Sequence, residues 1–179
     1  MVRIEFLIIQ NSNSMFQIKP ISRESIPSAL EKAERYRLLN EPMLAESICL
    51  DILDADAQNT QAIVTMLLAI TDQFGSSSLV DINHAKQLLS KLPDEYDRQY
   101  YAGLICERQG KAVLNRHMPD SGFVAYEWLS DAMEHYEKAE TIRAPGKDDS
   151  ILRWNTCARL IMRHHLKPRD EKYIEQPLE

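Results

Sequence analysis

The sequence predicts an all-α chain, and three observations carry that reading. Only five of the 179 residues are glycine, while Ala, Leu, Glu, Asp and Arg are abundant and Val and Thr scarce, a balance that favours helix over sheet. From Ser28 onward, apolar residues recur at spacings of three and four in successive stretches. Pro, Asn, Asp and Gly punctuate those stretches at intervals that suit paired helices.

The elements follow in chain order. Val2 to Ile9 is β-branched and aromatic and reads as a strand or an extended strap, with a turn at Asn11 to Ser14. Such a segment lies along a helix, pairs with another chain or frays, and 1–22 is taken as an N-terminal extended segment. The first helix, from Ser28, places Leu30, Ala33, Tyr36, Leu38 and Leu39 on one face with Arg37 outward. It ends at Asn40 to Pro42, because Pro42 disfavours helix at Glu41 and pre-sets the first turn of the next one. The second buries Ala45, Ile48, Cys49, Ile52 and Leu53 and stops from Asp54 to Asn59. The third carries Ala62, Ile63, Met66, Leu67, Ala69 and Ile70 and ends by Phe74 to Ser78.

A fourth helix sets Ala85, Leu88, Leu89 and Leu92 on one face before Pro93. The fifth runs from about Glu95 through Cys106 toward Arg116, followed by a loop at Asp120 to Gly122. The sixth, about Val124 to Ile142, holds Tyr126, Leu129, Ala132, Met133, Tyr136 and Ala139. Arg143 to Gly146 breaks it, and Asp148, Asp149 and Ser150 offer caps for a last helix through Met162. On that helix Leu152, Trp154, Ala158 and Ile161 form the apolar side. The helical domain is therefore 23–166, with a polar, proline-interrupted tail over 167–179.

Bulk properties narrow the function classes. An apolar fraction of 44% with 27% charged residues is that of a globular domain. The net charge of −6 opposes a nucleic-acid partner bound by counterion release and gives no support to docking on an anionic membrane. No apolar run approaches the roughly 18–20 residues of a membrane span. Glu5 breaks the first apolar run and no small-residue cleavage site follows, so a secretory signal is not expected. Cys49, Cys106 and Cys157 are odd in number and lie far apart inside helical patterns, which reads as reduced, core-packed thiols in a cytoplasmic setting.

The helices also share a grammar. Ala33, Tyr36 and Asn40 precede Ala45 by up to twelve residues, and an acidic, Asn-containing exit at Asp54 to Asn59 leads into the next helix. Ala132, Tyr136, Ala139 and Pro145 repeat it, preceded by Gly103 and Gly110. This resembles the tetratricopeptide repeat, in which small residues let helices cross closely and an aromatic fills the adjacent turn. The resemblance covers roughly Ser28 to Arg163, with extra residues at Gly75 to Ser78, an insertion at about Lys111 to Glu127, and Ala29 where an aromatic is usual. It implies about three antiparallel helix hairpins plus a final helix in a right-handed superhelix, with first helices lining a concave groove. Gly110 takes the place of the family's turn glycine.

On that resemblance the chain is expected to be a binding scaffold for a peptide or helix of a protein partner. Groove candidates are Glu34, Arg37, Leu68, Asp72, Tyr100, Glu107, Arg108, Asn155, Arg159 and Arg163. The family's carboxylate-clamping set of Lys and Asn is met only in part, by Asn155 and the arginines. The alternative is a self-associating module, a homodimer formed through the N-terminal strap or through acidic-to-basic complementarity of the two ends.

No catalytic or cofactor motif appears. Zincin, Glu-x-x-His, Cys-x-x-Cys, phosphate-loop, dinucleotide and nucleophile-elbow patterns are all missing, so no enzyme, metal or cofactor is expected. His164 and His165 point about 100° apart on a helix, poor geometry for one ion. The acidic pairs Glu134/Glu137 and Asp148/Asp149 read as solvated charges and caps. Most of the tyrosines in the C-terminal half read as core, with Trp128 and Trp154 as partly exposed anchors. Asn155, Arg159 and Arg163 recur every four residues and are expected to line one face beside Trp154. Reversing Arg159 and Arg163 to Glu is expected to keep helicity and abolish partner capture.

Overall fold

The structure is a computed structural model that describes residues 16–75, 82–116 and 118–169. Among these, regular structure is entirely helical: a 3-10 turn at Arg23–Ser25, then α1 Ile26–Leu38, α2 Pro42–Ala55, α3 Thr60–Asp72, α4 Ile82–Leu89, α5 Glu95–Leu114, α6 Ser121–Thr141 and α7 Asp149–Arg163. The expected strap at Val2 to Ile9, its turn, the glycine–serine stretch beyond Gly75 and the tail beyond residue 169 lie outside the described residues. None of the described helices is long and apolar enough to cross a membrane.

Local chemistry places the helix starts. Pro27 and Pro42 occupy the first turns of α1 and α2, where a missing N–H costs nothing and the fixed φ already suits a helix. Because Pro27 fits there, α1 begins two residues before Ser28. Asn59 caps α3 by accepting the Ala62 N–H at 3.0 Å, and Asp94 caps α5 by accepting that of Asp97 at 3.2 Å. Asn40 and Asp120 turn the chain with φ near +60°, a conformation their short polar side chains tolerate.

Helices joined through 39–41, 56–59, 115–120 and 142–148 pack along each other, so α1/α2, α2/α3, α5/α6 and α6/α7 are antiparallel neighbours. In addition α1 touches α3, α3 touches α5 and α5 touches α7, whereas the short α4 rests on α3 and α5. Two main cores result. One gathers Ala33, Ala45, Cys49, Ile63, Leu67, Ile70, Leu88, Leu104 and Ile105; the other gathers Cys106, Leu129, Ala132, Tyr136 and Cys157. A smaller cluster of Ile26, Leu30, Ile52 and Ala62 closes the first end.

Close crossing of α5 and α6 rests on two glycines. A Cβ on Gly103 would stand 2.7 Å from Tyr136 Cε1, and one on Gly110 would stand 3.1 Å from Leu129 Cγ. Gly110 is thus a mid-helix crossing point rather than the expected turn glycine. The insertion over 111–127 is absorbed mostly as helix, since α5 continues to Leu114 and α6 starts at Ser121, ahead of the expected Val124. The intervening loop ends at Asp120, so Ser121 and Gly122 belong to a helix and not to the expected loop.

Three expected burials are overturned. Leu38 and Leu39 are 87% and 64% exposed, and Leu152 is 63% exposed. At about 100° per residue, Leu38 and Leu39 point away from the Leu30–Ala33 side, while Arg37, seven residues after Leu30, returns to it. Arg37 therefore faces inward toward α3, not outward.

Candidate functional site

Arg37 is the first member of a polar network that crosses the odd-numbered helices. Its Nε donates to Asp72 Oδ2 at 2.7 Å, linking the last turn of α1 to the last residue of α3. The other oxygen of Asp72 pairs with Arg108 Nη1 of α5, also at 2.7 Å. The same Nη1 donates to the Leu68 carbonyl at 2.9 Å and to the Thr71 hydroxyl. Burial holds the Arg108 guanidinium below its ordinary pKa; the Asp72 charge opposes the shift and the neighbouring Arg37 and Arg153 charges add to it.

Immediately before Arg108 on α5 stands Glu107, fully buried. A carboxylate without water needs donors from protein, and it has them. Tyr136 Oη donates to Oε2 at 2.8 Å, Lys111 Nζ pairs with Oε1, and Arg153 Nη1 of α7 lies 3.4 Å from the same oxygen. Burial would lower the Arg153 pKa, but a hydrogen bond with Tyr100 and the Glu107 charge outweigh it, and the net shift is upward. Burial and the adjacent Glu107 carboxylate push the Tyr136 phenol far above its usual range, so it stays a donor.

Tyr100 stacks on Tyr96 at 5.9 Å between ring centroids and meets Tyr101 edge-on at 5.1 Å, so three tyrosines pave the first half of α5. Burial, then the Asp97 charge, raises the Tyr101 hydroxyl to about 12. Glu34, one turn before Arg37, accepts from Gln61 of α3 at 3.0 Å.

Of the residues singled out from sequence, Arg37, Asp72, Leu68, Tyr100, Glu107 and Arg108 thus fall on one shared face. Asn155, Arg159 and Arg163 do not. Asn155 follows Arg153 by two residues, about 200° around α7, so its row points away from α5. That row shares the outer side of α7 with the exposed Leu152 and Met162. Trp154 is not beside it either. Its Nε1 donates to Glu137 Oε1 at 2.9 Å, and its ring packs into the second core as a tie between α6 and α7. Trp128 is half-buried, its Cβ against Gly110 and Lys86 Nζ 5.5 Å from its ring centroid. Sequence reasoning missed Lys111 and Arg153. Lys111 was findable at the fourth residue after Glu107, whereas Arg153 needed the rotation of α7.

The even-numbered helices carry different features. Between α2 and α4 lies a cleft of about 350 Å³ lined by Leu50, Leu53, Met66 and Leu88 together with Asp54, His84 and Lys91. Between α4 and α6 lies another of about 410 Å³, with Lys86, Trp128, Asp131, Glu134 and His135. Burial, with Lys138 adding, lowers the His135 pKa despite the opposing acids Asp131 and Glu134; its Nδ1 lies 2.9 Å from Gln99 Oε1. Cys49, Cys106 and Cys157 are free and buried, and burial raises them to about 12, 11 and 12, so none has the thiolate character of a nucleophile. Among the described residues no cluster of His, Cys, Asp and Glu is arranged to hold a metal. Comparisons with protein-family models, curated proteins and solved structures returned no match.

Proposed function

We propose that the chain is a protein–protein adaptor, a tetratricopeptide-like stack whose α1, α3, α5 and α7 line the binding groove. The observation that carries this reading is a pair of ion-pair groups, Arg37–Asp72–Arg108 joining α1, α3 and α5 and Glu107–Arg153 joining α5 and α7, seated on adjacent residues of α5. Helix packing supports it. Successive odd helices touch, while α2, α4 and α6 pack on them and leave clefts between one another. A tight layer backed by an open one favours bending toward the tight side, which supports reading the networked face as the concave one. Polar side chains held from below and reaching solvent above suit recognition of a peptide or helix.

Affinity capture with the tagged chain tests the reading. A partner retained by the wild type and by Arg159→Glu/Arg163→Glu, but lost from a still-helical Arg37→Ser/Lys111→Ser variant, is the expected result. Loss with the α7 pair instead moves the docking surface to the outer side of that helix.

A second reading, self-association, is favoured by the exposed Leu38, Leu39, Met43 and Leu44 at one end of the stack and Leu152 and Met162 at the other. A dimer mass in light scattering that survives high salt is its expected signature.

A further inference from the structure

We propose that the cleft between α2 and α4 is the seat of the chain's own N-terminal apolar segment, Val2 to Ile9, laid in as a strap. The cleft lies among the even-numbered helices, not the odd ones that carry the groove, so the proposal stands apart from the adaptor reading. Leu50 and Leu53 form one wall, Leu88 the other, and Met66 of α3 the floor. Met66 and Leu88 belong to the first core, so the cleft reaches down to that core, and Leu50 at its lip is 51% exposed. Apolar surface of this kind gains from being covered.

Three observations choose the occupant. The first is position. Ile21 packs on the cluster of Ile26, Leu30, Ile52 and Ala62, against which Leu53 of the cleft wall also packs. The chain is thus fixed beside the cleft, and from Ile21 back to Ile8 it reaches about 40 Å when extended. α2 itself is only about 20 Å long, so the whole cleft lies within that reach. The second is pattern. Val2, Ile4, Phe6 and Ile8 alternate with Arg3, Glu5 and Leu7, which gives an extended chain one wholly apolar face to turn inward. Left in water, such a segment is a template for pairing with other chains, a hazard that a seat removes. The third is charge. Arg3 and Glu5, on the other face, meet a rim with Asp54 on the α2 side and Lys91 just beyond α4, so each finds the opposite sign.

The second cleft, between α4 and α6, suits the segment less. Lys86, Asp131, Glu134 and His135 line it, and covering them with apolar side chains costs desolvation that no new hydrogen bond offsets. It also lies on the far side of α4 from the anchor at Ile21. A separate protein competes poorly with the strap, because the tether holds the strap at an effective concentration on the order of millimolar.

Disulfide trapping in the full chain tests the seat. Cys49, Cys106 and Cys157 are buried, with thiols pushed up to about 12, 11 and 12, so they stay silent under copper–phenanthroline oxidation. Phe6→Cys paired with Leu50→Cys is expected to close an intramolecular bridge about tenfold or more faster than Phe6→Cys paired with Glu31→Cys. Glu31 is exposed on α1, next to Leu30 of the cluster that holds Ile21, and lies off the cleft. Adding Ile4→Asp and Ile8→Asp should bring the Leu50 pair down to the rate of the Glu31 pair, with helicity by circular dichroism unchanged. Equal bridging to both positions overturns the proposal, because the segment then has no seat. A Leu50 rate that ignores the two aspartates overturns it too. A disulfide-linked dimer as the main product of the Leu50 pair overturns the own-chain occupant and assigns the cleft to the strap of a second copy. None of these results bears on partner capture by the odd-numbered helices, so the groove reading is judged separately.

Discussion

Tyr136 shows what one side chain demands of its neighbours. Its ring lies fully buried against α5 at Gly103, and its hydroxyl reaches Glu107 on the same helix. The glycine lets the ring in, and the ring's polar tip then satisfies a carboxylate that has no water. Replacing Gly103 by Ala forces the ring off that carboxylate, since aromatic carbons cannot yield 2.7 Å contacts without moving. We expect Gly103→Ala to cost about 1–3 kcal/mol in urea denaturation, the usual cost of overpacking a core. Gly122→Ala, whose Cβ would meet Leu166 at an ordinary 3.7 Å, should be close to neutral. Equal stabilities of the two variants would show that the α5–α6 crossing is looser than described.

At the scale of elements, caps and prolines decide where helices begin, and packing decides how far they continue. α3 is nearly all apolar on its inner sides, burying eight of its thirteen residues, so its start is held by few polar groups. Asn59 supplies the cap and also donates to Asp56 at 3.2 Å, tying the α2–α3 turn to the helix it opens. Asn59→Ala is expected to lower stability by about 1 kcal/mol, and Asn59→Gly by only a few tenths, read from thermal melts by circular dichroism. The Ser25 side chain makes no cap bond to α1, so Ser25→Ala should shift the melt less. The α5–α6 pair teaches the converse. The residues expected as an insertion at about Lys111 to Glu127 mostly extend both helices, where Ala112 of α5 and Ala125 of α6 are buried.

For the whole molecule, the question is whether the two cores are one cooperative unit. α5 joins them, placing Leu104 and Ile105 in the first and Cys106 in the second. Trp128 and Trp154, the two tryptophans of the chain, both pack in the second core, so fluorescence reports on that half while far-ultraviolet dichroism reports on all helices. Leu67→Ala, in the first core, should cost about 2–5 kcal/mol and shift both signals to the same lower urea midpoint. A fluorescence midpoint that stays put while dichroism falls in two steps would mean the halves fold separately.

The repeat resemblance supplied the candidates Arg37, Asp72 and Arg108; the sequence by itself determined the helical class, the order of the seven helices and most of their buried faces. These depend on period, turn chemistry and residue size, which are local properties. Only the tertiary structure decided which candidates meet. Whether Arg37 turns inward, whether Glu107 is buried beneath Lys111 and Arg153, and on which side of α7 the Asn155 row emerges all depend on how helices distant in sequence rotate against each other. Local periodicity leaves that rotation open. Packing around Gly103, Gly110 and the core alanines sets it.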